Sequence, residues 1–206
     1  MSVSQATYDC LYIGKKLQEK VGDFSEGEIQ LFAYLSCLLA LYDGKNVASW
    51  GYFFIKNENG SPFSKDVSVS LKRLTQINCF VDSDKDNYFN MGETGNFFLD
   101  KISEYSMNTS REKYLKSAVT MVDFFPYGIL TKAINNEPIL LSSQAINVRR
   151  NLLDENGSSQ AALYQQFKLL KSVIDQKNTG LLKPAYLWLN SLAFYNSNNQ
   201  SQSANE

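Results

Sequence analysis

The stretch SEGEIQLFAYLSCLLALYDG, residues 25–44, decides the fold. Ser25 and Glu28 stand three apart just ahead of an apolar run. At that spacing each side chain satisfies the other's orphan backbone amide at a helix start. Ile29, Phe32, Leu35, Leu38, Leu39 and Tyr42 then recur at helical period, and Gly44 supplies the stop. The whole run is apolar enough for a buried helix. Such a helix must be covered by other elements, and the flanking sequence supplies them.

Upstream, Tyr8, Leu11, Tyr12 and Leu17 predict a short amphipathic helix over 4–20, closed by Gly22. Downstream, Trp50-Gly51-Tyr52-Phe53-Phe54-Ile55 is aromatic and β-branched and predicts a short strand or a tightly packed turn. Asn57 to Pro62 is turn-rich. Ser64 reads as an N-cap, with Val67, Leu71, Leu74 and Ile77 on one face of the next helix. Cys79-Phe80-Val81 and Tyr88-Phe89-Asn90-Met91 flank a polar loop and predict a hairpin. Gly92 to Tyr105 returns to helix, with Phe97, Phe98, Leu99 and Ile102 apolar.

Helix, strand-like piece, helix, hairpin, helix is the order of a winged-helix unit, here placed at residues 25–106. An N-terminal helix (1–24) precedes it and a helical domain (107–195) follows. In that second half Thr109 and Glu112 repeat the capping-box spacing, and Tyr114, Leu115, Ala118, Val119, Val122 and Phe125 follow at period. Pro126 marks a boundary. A short helix over 129–136 closes at Glu137-Pro138. Residues 141–157 read as a loop, and Leu163–Ile174 and Leu181–Tyr195 as two more helices. Pro184 sits in the first turn of the last, where its missing amide costs nothing. Residues 196–206 are rich in Asn, Gln and Ser and predict a disordered tail. The expected fold class is mostly α with a small β-hairpin, an α+β chain: a winged-helix-like unit followed by a helical extension.

Composition narrows the chemistry. Histidine is absent from the 206 residues. That removes the commonest general base, the commonest zinc ligand and the usual activator of a serine or cysteine nucleophile. Cys10, Cys37 and Cys79 are widely separated and form no CxxC pair, so they read as buried, reduced thiols rather than a disulfide framework. The first residues lack the basic start and apolar run of a signal peptide, and no stretch approaches the roughly 20 apolar residues of a membrane span. A cytoplasmic location is expected. Four N-glycosylation patterns, such as Asn59-Gly60-Ser61, are then chance matches. Net charge is −1, unevenly spread. Residues 25–106 hold seven Lys/Arg and eleven Asp/Glu; residues 108–184 hold ten and six. The acidic half disfavours non-specific DNA binding, while the basic half points to a polyanion or an acidic partner.

Four groups of residues carry candidate chemistry. Asp82, Asp84, Asp86, Asn90 and Glu93 fall at positions one, three, five, nine and twelve of an EF-hand spacing. Asn87 occupies position six, where the tight turn prefers glycine, and the alternative is an acidic hairpin tip. Lys65, Lys72 and Arg73 lie on the helix that would enter the major groove in a DNA-binding winged helix; a partner surface is the competing account. Arg149 and Arg150, followed by Asp154, could hold a phosphate or carboxylate in a bidentate fork; the alternative is a solvated loop. Trp50, Tyr52, Phe53 and Phe54 could stack bases, but so dense an aromatic run more often belongs to a core. No GxxxxGK[ST] loop is present, so ATP binding through a P-loop is not expected. No catalytic residue, cofactor or resident metal is assigned.

Tyr34-Leu35 with Leu41-Tyr42-Asp43-Gly44, then Trp50-Gly51-Tyr52-Phe53, then Ser61-Pro62-Phe63-Ser64, resembles the middle component of bacterial ABC-three-component systems of the Lamassu antiphage type. Gly92-Glu93-Thr94-Gly95 and Arg111-Glu112-Lys113-Tyr114-Leu115 through Pro126 fit the pattern loosely. The resemblance spans about residues 30–140. It implies a non-catalytic bridging subunit beside an SMC-like ABC ATPase and a nuclease-like effector subunit, with DNA reached through the complex. The alternative is a stand-alone winged-helix transcription regulator that reads DNA with the Ser64–Gln76 helix. An enzyme is the third reading, and the missing histidine weighs against it.

Overall fold

The Ser25–Glu28 capping box forms. In the computed structural model the Glu28 carboxylate accepts from the Ser25 amide at 2.7 Å, and the Ser25 hydroxyl accepts from the Glu28 amide at 3.3 Å. The structure describes residues 2–143, 151–153, 158–174 and 180–202, with side chains over 4–143, 151–153, 159–174 and 180–194. Helix α2 (Glu26–Tyr42) is buried at every position from Ile29 to Tyr42. It is the axis of the molecule. Each large apolar side chain fully removed from water there contributes about 1.5–3 kcal/mol.

Around it, α1 (Ser2–Val21) leads through Gly22, at φ +85, into the two-residue strand β1 (Phe24–Ser25). After α2, a 3-10 turn at Val47–Trp50 and the minimal hairpin β2 (Ile55–Lys56) and β3 (Pro62–Phe63) lead to α3 (Lys65–Gln76). Then come β4 (Phe80–Asp82), β5 (Tyr88–Met91) and α4 (Glu93–Ser103). The main sheet is antiparallel in the order β1-β5-β4, with Phe24 opposite Phe89 and Val81 opposite Asn90. The helical remainder comprises α5 (Ser106–Val119), a 3-10 turn at Thr120–Asp123, α6 (Tyr127–Asn135), α7 (Pro138–Ser143), α8 (Ser158–Val173) and α9 (Leu182–Gln202). The chain is therefore α+β, mostly helical with a small antiparallel sheet.

One hydrophobic core runs from Ala6 in α1 to Ala193 in α9, so the segments 1–24, 25–106 and 107–195 share an interior. Helix α1 packs on α3 and α5. Gly14 permits its approach to the sheet: a Cβ there would stand 2.9 Å from the rings of both Phe24 and Phe80. Those rings meet edge-on at 5.1 Å between centroids. Gly95 lets α4 abut the β4 entry, since a Cβ would fall 2.3 Å from the Cys79 carbonyl oxygen. Cys10, Cys37 and Cys79 are free and buried in this core.

Several expectations need correction. Helix α5 begins at Ser106, so Thr109 lies inside it, and its hydroxyl donates to the Ser103 and Tyr105 carbonyls rather than capping. The partner glutamate, Glu112, instead accepts from the Tyr12 hydroxyl at 3.3 Å. Ser64 does stand at the N-cap of α3, yet its hydroxyl makes no cap bond. The Gln30 side chain instead clasps the Ser64 backbone itself. Its Oε1 accepts from the Ser64 amide at 2.8 Å and its Nε2 donates to the Ser64 carbonyl at 3.1 Å, tying α2 to the start of α3. Ile77, expected on the buried face, is 54% exposed because α3 ends at Gln76 and Asn78, at φ +54, turns the chain away. The expected loop over 141–157 begins inside α7, which Glu137 caps from its buried side chain. The expected disordered tail from residue 196 carries on as helix to Gln202. Once packing has anchored a helix, propagation adds one hydrogen bond per residue fixed without a new nucleation cost.

Candidate functional site

Helix α3 sorts its residues by helical period. Val67, Ser70, Leu71 and Leu74 face the core, while Lys65, Lys72 and Arg73 share the opposite, exposed face with Gln76. The structure thus brings together three of the five candidate contact residues. None of the three joins an ion pair among the described residues, whereas Lys15, Lys16 and Lys20 on neighbouring α1 are matched to Asp100, Glu19 and Asp123. Arg149, Arg150 and Asp154 lie outside the described residues.

The hairpin beside this face is acidic. Asp82, Asp84 and Asp86 are exposed around the β4–β5 turn, and Asn87 turns it at φ +63. Lys85 reaches back to Asp23 at 3.4 Å. The Ser83 hydroxyl, donating at 2.6 Å, and then Lys85 hold the Asp23 carboxyl below its usual range. The EF-hand reading fails here on geometry. Asp82 pairs across the hairpin with Phe89, and Asn90 with Val81, so the twelve residues run out and back as strands instead of coiling round one point. Among the described residues no group of three acidic, Cys or His side chains converges on a metal-sized site.

The aromatic run divides. Trp50, Tyr52 and Phe54 are buried, while Phe53 is 53% exposed. The buried rings line a polar node that sequence reading missed. Arg111 from α5 forks onto Asp9 from α1, its Nε at 2.9 Å from Oδ1 and its Nη2 at 2.5 Å from Oδ2. Its Nη1 donates to the Trp50 carbonyl at 2.7 Å, and its Cζ lies over the Trp50 ring, 3.7 Å from the centroid. The Tyr52 hydroxyl completes the node by donating to Asp9 Oδ2 at 2.5 Å. Burial alone would lower the pKa of Arg111, but the Asp9 carboxylate outweighs it and holds the guanidinium more firmly protonated than usual. Burial, followed by the charge of Asp9, pushes the Tyr52 phenol well above its ordinary value. Only a pairing of Asp9 with Arg111 across 102 positions could have found this node, and nothing local marks either residue.

A second buried node surrounds Glu137. It accepts from the Tyr34 hydroxyl at 2.8 Å and from the amides of Ile139 and Leu140 at 2.9 and 2.5 Å. Burial raises its pKa to about 7, against the lowering effect of those donors. Both nodes are packed inside the core, and neither Asp9, Arg111 nor Glu137 lines a described pocket. Strongly shifted groups mark an active site when they stand in a cleft; here they serve as internal fastenings.

The open surface is different in kind. Eighteen large apolar side chains among the described residues are at least 36% exposed. They include Phe97, Tyr105 and Met107 around the α4–α5 junction, and Leu169 and Val173 on α8. No helix among the described residues is long and apolar enough to cross a membrane. The chain matches no protein-family model, no curated protein and no solved structure.

Proposed function

We propose that this chain is a non-catalytic bridging subunit of an SMC-like ABC-ATPase complex of the antiphage-defence type, located in the cytoplasm. In this role it links the ATPase to a nuclease-like effector subunit, and the complex senses foreign DNA. The observation that carries the reading is the division just described. The strongly perturbed ionisable groups are locked in the interior, while the surface offers large apolar side chains and separated charged faces. That is the equipment of a protein that holds other proteins.

The winged-helix part of the reading is supported by topology. What supports it is the order α1, β1, α2, α3, β4, β5 with the sheet ordered β1-β5-β4, the order expected of a winged helix that carries an insertion between its second and third helices. On this view α1 joins the unit placed at residues 25–106 as an additional first helix. The wing is the acidic β4–β5 hairpin. Phosphate repulsion at Asp84 and Asp86 opposes the attraction of Lys65, Lys72 and Arg73, which favours a partner over duplex DNA on this face.

Co-purification of the tagged chain with its neighbouring gene products, followed by mass spectrometry, tests the reading. A stoichiometric large ATPase is expected. A homodimer that shifts duplex DNA, and loses the shift on Lys72→Glu and Arg73→Glu, would replace it with the transcription-regulator reading, in which the α3 cations outweigh the acidic wing.

A further inference from the structure

A cavity of about 540 Å³ opens where the end of α2, the middle of α5 and the facing ends of α8 and α9 meet. Among the described residues its rim carries Lys113, Lys116 and Lys171 and one carboxylate, Asp43. Asp43 is already committed: Lys113 Nζ lies 2.6 Å from its Oδ2, and the Tyr114 hydroxyl donates to the same oxygen at 2.6 Å. Lys171 lies 4.9 Å from the centre of the Tyr42 ring, a contact that fixes its ammonium without neutralising it. Neither Lys116 nor Lys171 joins an ion pair among the described residues. The floor is apolar, formed by Tyr42, Ile174, Leu181 and Pro184.

From this arrangement we infer that the cavity is a docking site for an acidic peptide segment of a partner protein, one that inserts an aliphatic or aromatic side chain between flanking carboxylates. The inference rests on the partner-binding reading above and assigns it a place. The two ammonium groups, which join no ion pair among the described residues, favour negative charge, and the floor favours an apolar group beside that charge. A volume of this size takes one or two side chains, within the range of small recognition pockets. Nucleic acid fits less well. It needs a basic track along several phosphates and open aromatic faces for stacking, whereas the one ring in the floor is covered by Lys171 and meets Phe167 edge-on at 5.4 Å.

The test uses the whole chain and a labelled, end-capped peptide, Asp-Glu-Leu-Phe-Asp-Glu, followed by fluorescence anisotropy. Saturable binding is expected, weakening steeply as salt rises. The double variant Lys116→Glu and Lys171→Glu should raise the Kd at least tenfold. Lys116→Gln, a milder change on an exposed helix position, should raise it two- to threefold. Lys65→Glu with Lys72→Glu on the distant α3 face should leave the Kd unchanged. The site is overturned if the peptide does not bind, if a version with Gly-Ser in place of Leu-Phe binds equally well, if duplex DNA competes at matched charge, or if the double variant binds normally while its thermal melt stays intact. An ATPase that still co-purifies after peptide binding has failed leaves the subunit reading standing. A bound peptide with no co-purifying ATPase supports the site and removes that reading.

Discussion

Two fully buried carboxylates sit in different halves of the molecule and are held in opposite ways. Asp9 in α1 faces a guanidinium, with the Arg111 fork and Tyr52 taking up its oxygens. Glu137, at the entrance to α7, meets only neutral donors, one phenol and two backbone amides. Both are 0% exposed. The cost of taking a carboxylate out of water is similar at the two sites, yet only Asp9 has a full opposite charge beside it. The difference teaches that a buried acid can be held by a full opposite charge or by dipoles alone. With dipoles alone, as at Glu137, burial outweighs the donors and the carboxyl titrates near neutrality.

The contrast can be broken most severely at Arg111. Arg111→Met leaves Asp9 buried beside Trp50 and Tyr52 with no cation, and should cost about 3–5 kcal/mol in urea unfolding. Adding Asp9→Leu should recover part of the loss, because an uncompensated charge is worse than an apolar pair. Equal stability of the single and double variants would show that the charge was never the issue.

At Glu137 the expected signature is a pH slope. The folded carboxyl titrates near 7 and the unfolded one near 4.5, so the folded state holds the proton more tightly. Its stabilising contribution is fully present below about 4.5 and is lost as pH rises through 7, a change of about 3 kcal/mol. Glu137→Gln removes the titrating proton while keeping one acceptor oxygen, for the Tyr34 hydroxyl and the Leu140 amide, and should abolish that share of the slope. Parallel stability profiles for the two proteins between pH 5 and 7.5 would contradict this assignment.

Smaller effects sharpen the comparison from outside. Ser25→Ala removes one arm of a partly exposed capping box and should cost about 1 kcal/mol by thermal melting. Lys72→Ala on the open face of α3 should change stability by less than about 0.5 kcal/mol. A charged side chain there has no buried partner to abandon, unlike Arg111.

What the sequence disclosed follows the range of the interaction. The α2 helix, its capping box, the glycine stops at Gly22 and Gly44, and the β4–β5 hairpin were all legible because each is fixed within a few residues. The start of α5 was misplaced because Thr109 and Glu112 mimic a cap whose groups are used elsewhere. The Gln30–Ser64 clasp and the Asp9–Arg111 fork were invisible, since each joins residues 34 or 102 positions apart. Of the candidate contacts, Lys65, Lys72 and Arg73 share the exposed face of α3 because helical period alone puts them there. The cavity rimmed by Lys113, Lys116 and Lys171 needed α5 and α8 to be brought together first, and no spacing rule predicts that meeting.

The three buried thiols give the molecule an internal stopwatch. Cys10 sits in the first helix, Cys37 in the central one and Cys79 at the entrance to the hairpin, each at most 1% exposed. Desolvation raises all three thiol pKa values, so the nucleophilic thiolate is scarce until its surroundings open. Alkylation at each position therefore proceeds only as fast as that layer of the protein comes apart. Measured with and without a partner bound, three labelling rates would report which layer the partner clamps.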